Sequence, residues 1–348
     1  MTATLPPRAT MKDVAALAGV SIKTVSNVVT GTVAVREQTR ARVESAMAQL
    51  DFVPNLSARG LRKGRSGIIA VALPDLATAF SAELMHRIVE AAHERGLAVQ
   101  IEETASVPER EKELVSRARA HLVDGLILNP IRLEDSVIKY SDRLPPLVVI
   151  GEVEQNRADH VRIDSRLAAA DATRHVLSRG ATRVAVVGAD DDPSVATATS
   201  RLRLEGVHDA LREAGIPRDP ALEVNRLPWS MSGGADAART LLARGVAFDA
   251  IVALTDSLAL GALHTLHDHG IRVPDDVIVT GFDDVEFSKY TSPALTSVAF
   301  DRRAFAEAAL SLLESRMDDR STPPRALTLS HHLLERASTD GRPAGYHP

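Results

Sequence analysis

The chain has 348 residues, 41 Lys/Arg against 46 Asp/Glu, a formal net charge of −5 and 45% hydrophobic residues. That is length for two or three compact units. It has no cysteine, hence no disulfide framework and no thiolate metal site, and no apolar run of signal-segment or membrane-span length, so the sequence predicts a cytoplasmic protein with no membrane partner.

The first sixty residues carry the sharpest pattern. Thr10 stands where it can cap a helix, and Asp13 three residues on completes a capping-box pair. Val14, Leu17 and Ala18 follow at helical spacing as one apolar stripe, and Gly19 supplies a turn. Ser21 can cap a second helix that buries Val25, Val28 and Val29 and presents Ile22, Lys23, Ser26 and Asn27 on its other face. A third helix is predicted over Arg36 to Leu50, with Val43, Ala46, Met47 and Leu50 on one side. Arg36 is a weak cap for it. Three such helices share one small core and leave the second free to enter a DNA major groove.

Charge agrees with that reading. Residues 1–66 hold ten Lys/Arg and four acids, a head of +6 on a body of −11. A basic head on an acidic body suits a phosphate-bearing partner at one end only. Pro54 then stops the helical pattern, Asn55 can cap a short new helix, and Ala58 and Leu61 fall on one face of it. A helix of one or two turns is not stable alone in water.

From Ser66 onward, short apolar runs alternate with amphipathic segments of helix length. The runs are 68–73, 97–101, 125–128, 147–150, 184–187, 250–254 and 277–280. Helices are predicted over 82–95, 110–121, 167–179, 201–214, 233–244 and 257–269, five of them stopped by a glycine. This alternation predicts parallel, doubly wound α/β sheets, and there are too many strands for one compact sheet. Ligands in such sheets bind beyond the carboxyl ends of strands. Phe80, Asn129, Asp164 and Asp283 stand there.

Read together, these motifs resemble the LacI/GalR family of transcriptional regulators from end to end. They are Lys12 to Ser26 (Lys-Asp-Val-Ala-x-Leu-Ala-Gly-Val-Ser-x-x-Thr-Val-Ser), Pro54-Asn55 with Ala58, Arg59 and Leu61, Arg203 with Gly206, Gly281-Phe282-Asp283-Asp284, and Arg336 with Ser338 and Thr339. The resemblance implies an all-α helix-turn-helix head at residues 1–53, a hinge at 54–65, and a type I periplasmic-binding-protein-like core at 66–340. In that core the N-terminal subdomain would hold about 66–163 and 293–330, and the C-terminal one about 164–292, with crossovers near Asp164 and Tyr290–Pro293. The tail, 341–348, is expected to be disordered.

Roles follow from the same resemblance. Ile22 and Lys23 occupy the pair that chooses operator bases. Ser21, Thr24 and Ser26 contact phosphates or pack the recognition helix. Asn27, where arginine is common, alters base or phosphate reading. Asn55, Ala58 and Leu61 belong to the hinge, Leu61 as the wedge in the minor groove. Phe52 stands for a tyrosine. Arg203, Trp229, Thr255 and Asp256 join the strand-end residues around an effector, with Thr255 where many relatives have asparagine. Asp164 and Asp256 could equally cap helices. The expected partners are pseudo-palindromic double-stranded operator DNA, a sugar or sugar derivative, and a second copy of the chain in a homodimer.

A purine or nucleoside effector is the alternative, and a solute-binding protein the rival for the core alone. His264, His267 and His269 do not share one helix face with another ligand, and no phosphate-binding loop or dinucleotide fingerprint appears. Neither enzyme chemistry, cofactor nor metal is expected.

Overall fold

The computed structural model describes residues 9–30, 33–52, 65–141, 143–190, 196–225 and 228–347, and divides into two units, 1–66 and 67–348. The predicted hinge residues Asn55, Ala58 and Leu61 lie outside the described residues.

In the first unit, α1 (Met11–Ala18) starts on the expected reciprocal cap. The Thr10 backbone N–H donates to the Asp13 carboxylate at 2.8 Å and the Asp13 N–H to the Thr10 hydroxyl at 3.4 Å. It ends at Gly19, whose φ of 64° is the left-handed conformation that glycine adopts without strain. Then come α2 (Ile22–Thr30) and α3 (Glu37–Gln49), the latter with no side-chain cap from Arg36. Val14, Ala15, Ala18, Val25, Val28, Val43 and Ala46 form the shared core. Leu17, expected on the buried stripe, is instead 50% exposed. Ala15 and Ala18 extend the buried arc to one side of Val14, and Leu17 falls on the other.

The second unit holds two six-stranded sheets. The N-terminal sheet uses β1 (Ile68–Leu73), β2 (Ala98–Glu103), β3 (Gly125–Leu128), β4 (Leu147–Ile150), β5 (Asp159–Ile163) and, from far down the chain, β11 (Ala326–Leu329), in the order β11-β5-β4-β3-β1-β2. The C-terminal sheet uses β6 (Val184–Val187), β7 (Glu223–Val224), β8 (Ala250–Ala253), β9 (Ile278–Phe282), β10 (Thr296–Phe300) and β12 (His331–Leu334), in the order β12-β10-β9-β8-β6-β7. Every pairing is parallel except β12 on β10. The central strands β3, β4, β6 and β8 are buried throughout, as Val/Ile/Leu/Ala runs covered on both faces should be.

Helices α4 (Ala79–Glu94), α5 (Pro108–Arg119) and the short α6 (Val137–Tyr140) accompany the first sheet. Helices α7 (Ser165–Ser178), α8 (Ala198–Glu213), α9 (Met231–Ala243) and α10 (Asp256–Asp268) accompany the second. Helix α11 (Arg302–Asp318) packs back on α4, β3, β4 and β5. The chain therefore crosses between sheets three times, at Asp164, at Asp301 and at Ser330. The second crossover lies about ten residues later than the sequence implied, because 296–300 pairs with β9 and β12 before the chain leaves. The third separates β11 and β12 by one residue.

The tail expected to be disordered is docked. Tyr346 pairs antiparallel with Phe248, their rings 5.3 Å apart, and the N–H groups of Ala344 and Gly345 donate to the carbonyls of Asp275 and Asp276. An aromatic side chain and four main-chain bonds hold a segment whose Gly and Pro content hides any pattern. The closing Arg-x-Ser-Thr motif also bonds to this half. Arg336 meets Asp284 at 2.6 Å, the Ser338 hydroxyl donates to the Val279 carbonyl, and Thr339 meets Thr296 and His175.

Gly206 explains the other core motif. It sits where α8 crosses α7, and an added Cβ would lie 2.0 Å from the Arg166 carbonyl oxygen. Gly206→Val is expected to lower the stability of the core by about 3 kcal/mol through forced separation of the two helices. Thermal unfolding checks this; a Tm within a degree or two of wild type would contradict it.

Candidate functional site

Two faces of the molecule answer to the sequence reading, one in each unit. On the first, Ser21 caps α2, with the Thr24 N–H donating to its hydroxyl at 3.1 Å and the two hydroxyls 2.9 Å apart. Ile22, 50% exposed, and Lys23 stand side by side on the open first turn, with Asn27 half-buried one turn on. No acidic side chain occupies that turn, so the positive end of the helix is unopposed. Ser26 departs from expectation: it is only 6% exposed, on the side that Val25 and Val28 turn into the core. Its position packs the helix and does not join the exposed row.

On the second unit, a cavity of about 660 Å³ lies between the two sheets at the carboxyl ends of their strands. Phe80, Asn129, Arg203, Trp229, Thr255 and Asp283 all line it, so six of the eight expected effector residues come together. Asp164 does not. Its carboxylate accepts the Leu167 N–H at 2.9 Å and caps α7. Asp256 does not line it either. Thr255 caps α10, and the Asp256 carboxylate accepts the Ser288 and Ser297 hydroxyls, each at 2.6 Å, and the Val285 N–H at 2.8 Å. It ties the loop after β9 to the start of α10. Burial pushes its pKa up to about 6, against the pull of those three donors.

Arg203 and Asp283 are the electrostatic centre. Arg203 is 4% exposed. Its Nη1 donates to the Leu254 carbonyl at 2.5 Å, its Nη2 lies 3.4 Å from Asp283 and 3.6 Å from Glu152, and its plane sits 3.4 Å above the Phe282 ring. Its Nε is buried without a partner, a donor in a wall of the cavity. Burial pushes the Asp283 carboxyl up to about 7; the Arg203 guanidinium pulls the other way, and Asp256 adds to the rise. Asp283 takes φ 108°, outside the usual range of a non-glycine residue. It is held there by its N–H on the Val298 carbonyl and by the Arg302 guanidinium on its own carbonyl.

Glu152 is a site residue the sequence reading passed over. It follows β4 as Asn129 follows β3, so the strand-end rule could have found it. From the N-terminal half it accepts the Ser165 hydroxyl at 2.7 Å and the Thr199 hydroxyl at 2.8 Å, both on the C-terminal half. Ala198 donates across the cleft to the Ile131 carbonyl at 2.9 Å, and Glu286 to the Glu83 carboxylate at 2.7 Å. The two walls are thus already in contact at these points beside the cavity. Phe80, Phe300 and Phe305 form an edge-packed aromatic side to it, with centroids 6.2 and 5.4 Å apart. Such a cavity can hold a hydroxylated ring in charge-assisted hydrogen bonds at one side and cover an apolar face at another. Among the described residues no group of His, Cys, Asp and Glu could hold a metal ion.

Comparison with known proteins covers both units. Residues 10–55 match the bacterial regulatory proteins of the lacI family, and residues 173–339 a periplasmic binding protein-like domain. The chain is 32% identical to the HTH-type transcriptional regulator GalR of Escherichia coli (strain K12) over 345 residues, 97% of this chain and 98% of GalR. Its fold matches the lac repressor dimer bound to operator and the anti-inducer ONPF, with TM-score 0.82 and 27% identity over 96% of this chain and 99% of that one. It also matches the transcriptional regulator CelR in its cellobiose complex, with TM-score 0.70 and 29% identity over 95% and 100%. A basic three-helix head on a two-sheet core, matched along almost its whole length, has one reading: the chain belongs to the LacI family of DNA-binding transcriptional regulators.

Proposed function

We propose that this regulator is a repressor that binds a pseudo-palindromic operator as a homodimer, and that a sugar or sugar derivative in the core cleft controls its affinity for DNA. One observation carries the effector half. A cavity between two sheets gathers Asp283, Arg203 with an unpartnered Nε, Asn129 and Trp229, the groups that grip hydroxyls and cover a sugar face. The CelR–cellobiose complex supports a sugar as the ligand. The exposed pair Ile22 and Lys23 supports base reading by α2.

In this mechanism the effector bridges the two walls of the cleft and changes the angle between the sheets. The hinge residues Asn55, Ala58 and Leu61 then gain or lose their partners across the dimer. The effector shifts the equilibrium only by its differential affinity for the two states. A thermal-shift panel of sugars, polyols and purines, followed by operator selection with the full chain, tests it. A sugar that stabilises the protein and changes operator affinity supports the reading; a purine that does so in its place overturns the sugar.

Lys23→Ala is expected to relax base preference within each half-site and cost about 1–3 kcal/mol of specific binding. Binding titrations across salt concentrations on matched and mismatched sites separate the roles. Uniform weakening on every sequence would make Lys23 a phosphate contact.

A further inference from the structure

The lining of the cleft has a charge balance that the sugar reading does not use. Four carboxylates border the cavity: Asp75, Glu103, Glu152 and Asp283. Among the described residues Arg203 is the one cationic side chain in the lining, and its guanidinium already faces Asp283 and Glu152. Its Nε is buried without a partner, and its charge is already matched by these two carboxylates.

Asp75 and Glu103 stand apart from that centre, on the segments that follow β1 and end β2, and both are exposed. One oxygen of each is engaged locally: Asp75 accepts the Ala77 N–H at 2.7 Å, and Glu103 the Leu76 N–H at 3.0 Å. Arg110 donates to the Glu103 main-chain carbonyl at 3.1 Å and is not part of the lining. These bonds fix the two carboxylates at the border of the cavity and leave their charge uncompensated by any lining cation among the described residues. An anion entering the cleft past two such groups meets repulsion, and among the described lining residues there is no unmatched cation to offset its desolvation.

We infer that Asp75 and Glu103 act as a charge filter for the effector cleft, which admits uncharged or amine-bearing hydroxylated ligands and refuses phosphorylated or carboxylated ones. This rests on the sugar reading above.

The test uses the full-length protein and matched series: D-galactose, galactose 6-phosphate, galacturonate and galactosamine; the glucose equivalents; ribose and ribose 5-phosphate; and cellobiose. Affinities are measured by calorimetry at two salt concentrations. For any parent sugar that binds, the phosphate and the uronate are expected at least about 30-fold weaker, with the gap narrowing at high salt. The double variant Asp75→Asn with Glu103→Gln keeps an acceptor oxygen at both main-chain bonds. It is expected to leave parent affinity within about twofold and to shrink the phosphate gap to a few-fold. A phosphate or uronate binding as tightly as its parent, or a gap unchanged in the double variant, overturns the filter while leaving the sugar reading intact. If no member of any series binds, the sugar reading fails and the filter with it.

Discussion

Arg203→Ala is expected to weaken binding of whichever sugar occupies the cleft about 100-fold, near 2.7 kcal/mol. The loss has two sources in the geometry. The variant lacks the guanidinium that lines the cavity, and it leaves Asp283 and Glu152 without the cation that faces both. Charge-assisted bonds in a buried site carry more than their solvent-exposed equivalents, and an unpaired carboxylate adds its own penalty. Arg203→Lys keeps the charge but not the flat guanidinium above Phe282 or the simultaneous bond to the Leu254 carbonyl. It is expected to recover only part of the affinity. Calorimetric titration reads both variants, and wild-type affinity in Arg203→Ala would remove Arg203 from the ligand site.

Asp256→Ala is expected to destabilise the core by about 3 kcal/mol, a fall in Tm of roughly 8 °C. Three buried donors lose their acceptor at once: the Ser288 and Ser297 hydroxyls and the Val285 N–H. The same carboxyl makes a pH prediction. Its folded pKa of about 6 lies above its ordinary value, so the protonated form is favoured by folding. That contribution is fully present below about pH 4 and is lost as pH rises through about 6. Asp283, raised to about 7, acts in the same direction. Asp256→Asn is therefore expected to flatten part of the decline in stability between pH 4 and 7. An unfolding series in that range that gives parallel curves for wild type and Asp256→Asn would contradict the assignment.

Much of this was legible in the residues, and the failures have physical causes. The Thr10–Asp13 cap, the turn at Gly19 and all seven strand runs follow from local chemistry that tertiary packing does not override. Asp164 and Asp256 were ambiguous for a reason. Each follows a strand and opens a helix, a position that serves a helix start and a ligand cleft equally well. Only the partners decide, the Leu167 N–H for one and two serine hydroxyls for the other. Phe300 and Phe305 were missed because β10 was read as belonging to the other half. The short stretch 296–300 has no local feature that names its neighbours β9 and β12. β12 itself is hidden by the single residue that separates it from β11. Leu17 shows the limit of periodicity, since a short helix has one face but several arcs that satisfy the same spacing.

The three crossings at Asp164, Asp301 and Ser330 have a consequence for how the protein is made. Neither half of the core is a continuous stretch of chain. The first sheet lacks its edge strand until Leu329 has been synthesised, and the second lacks the strand beside β10 until Leu334. A nascent chain emerging from its N-terminus holds the residues of the three-helix unit early, but it cannot complete either sheet until nearly all 348 residues exist. Both halves of the core therefore mature together and late, and a chain truncated at residue 300 would lack α11 and β11 from one half and β12 from the other.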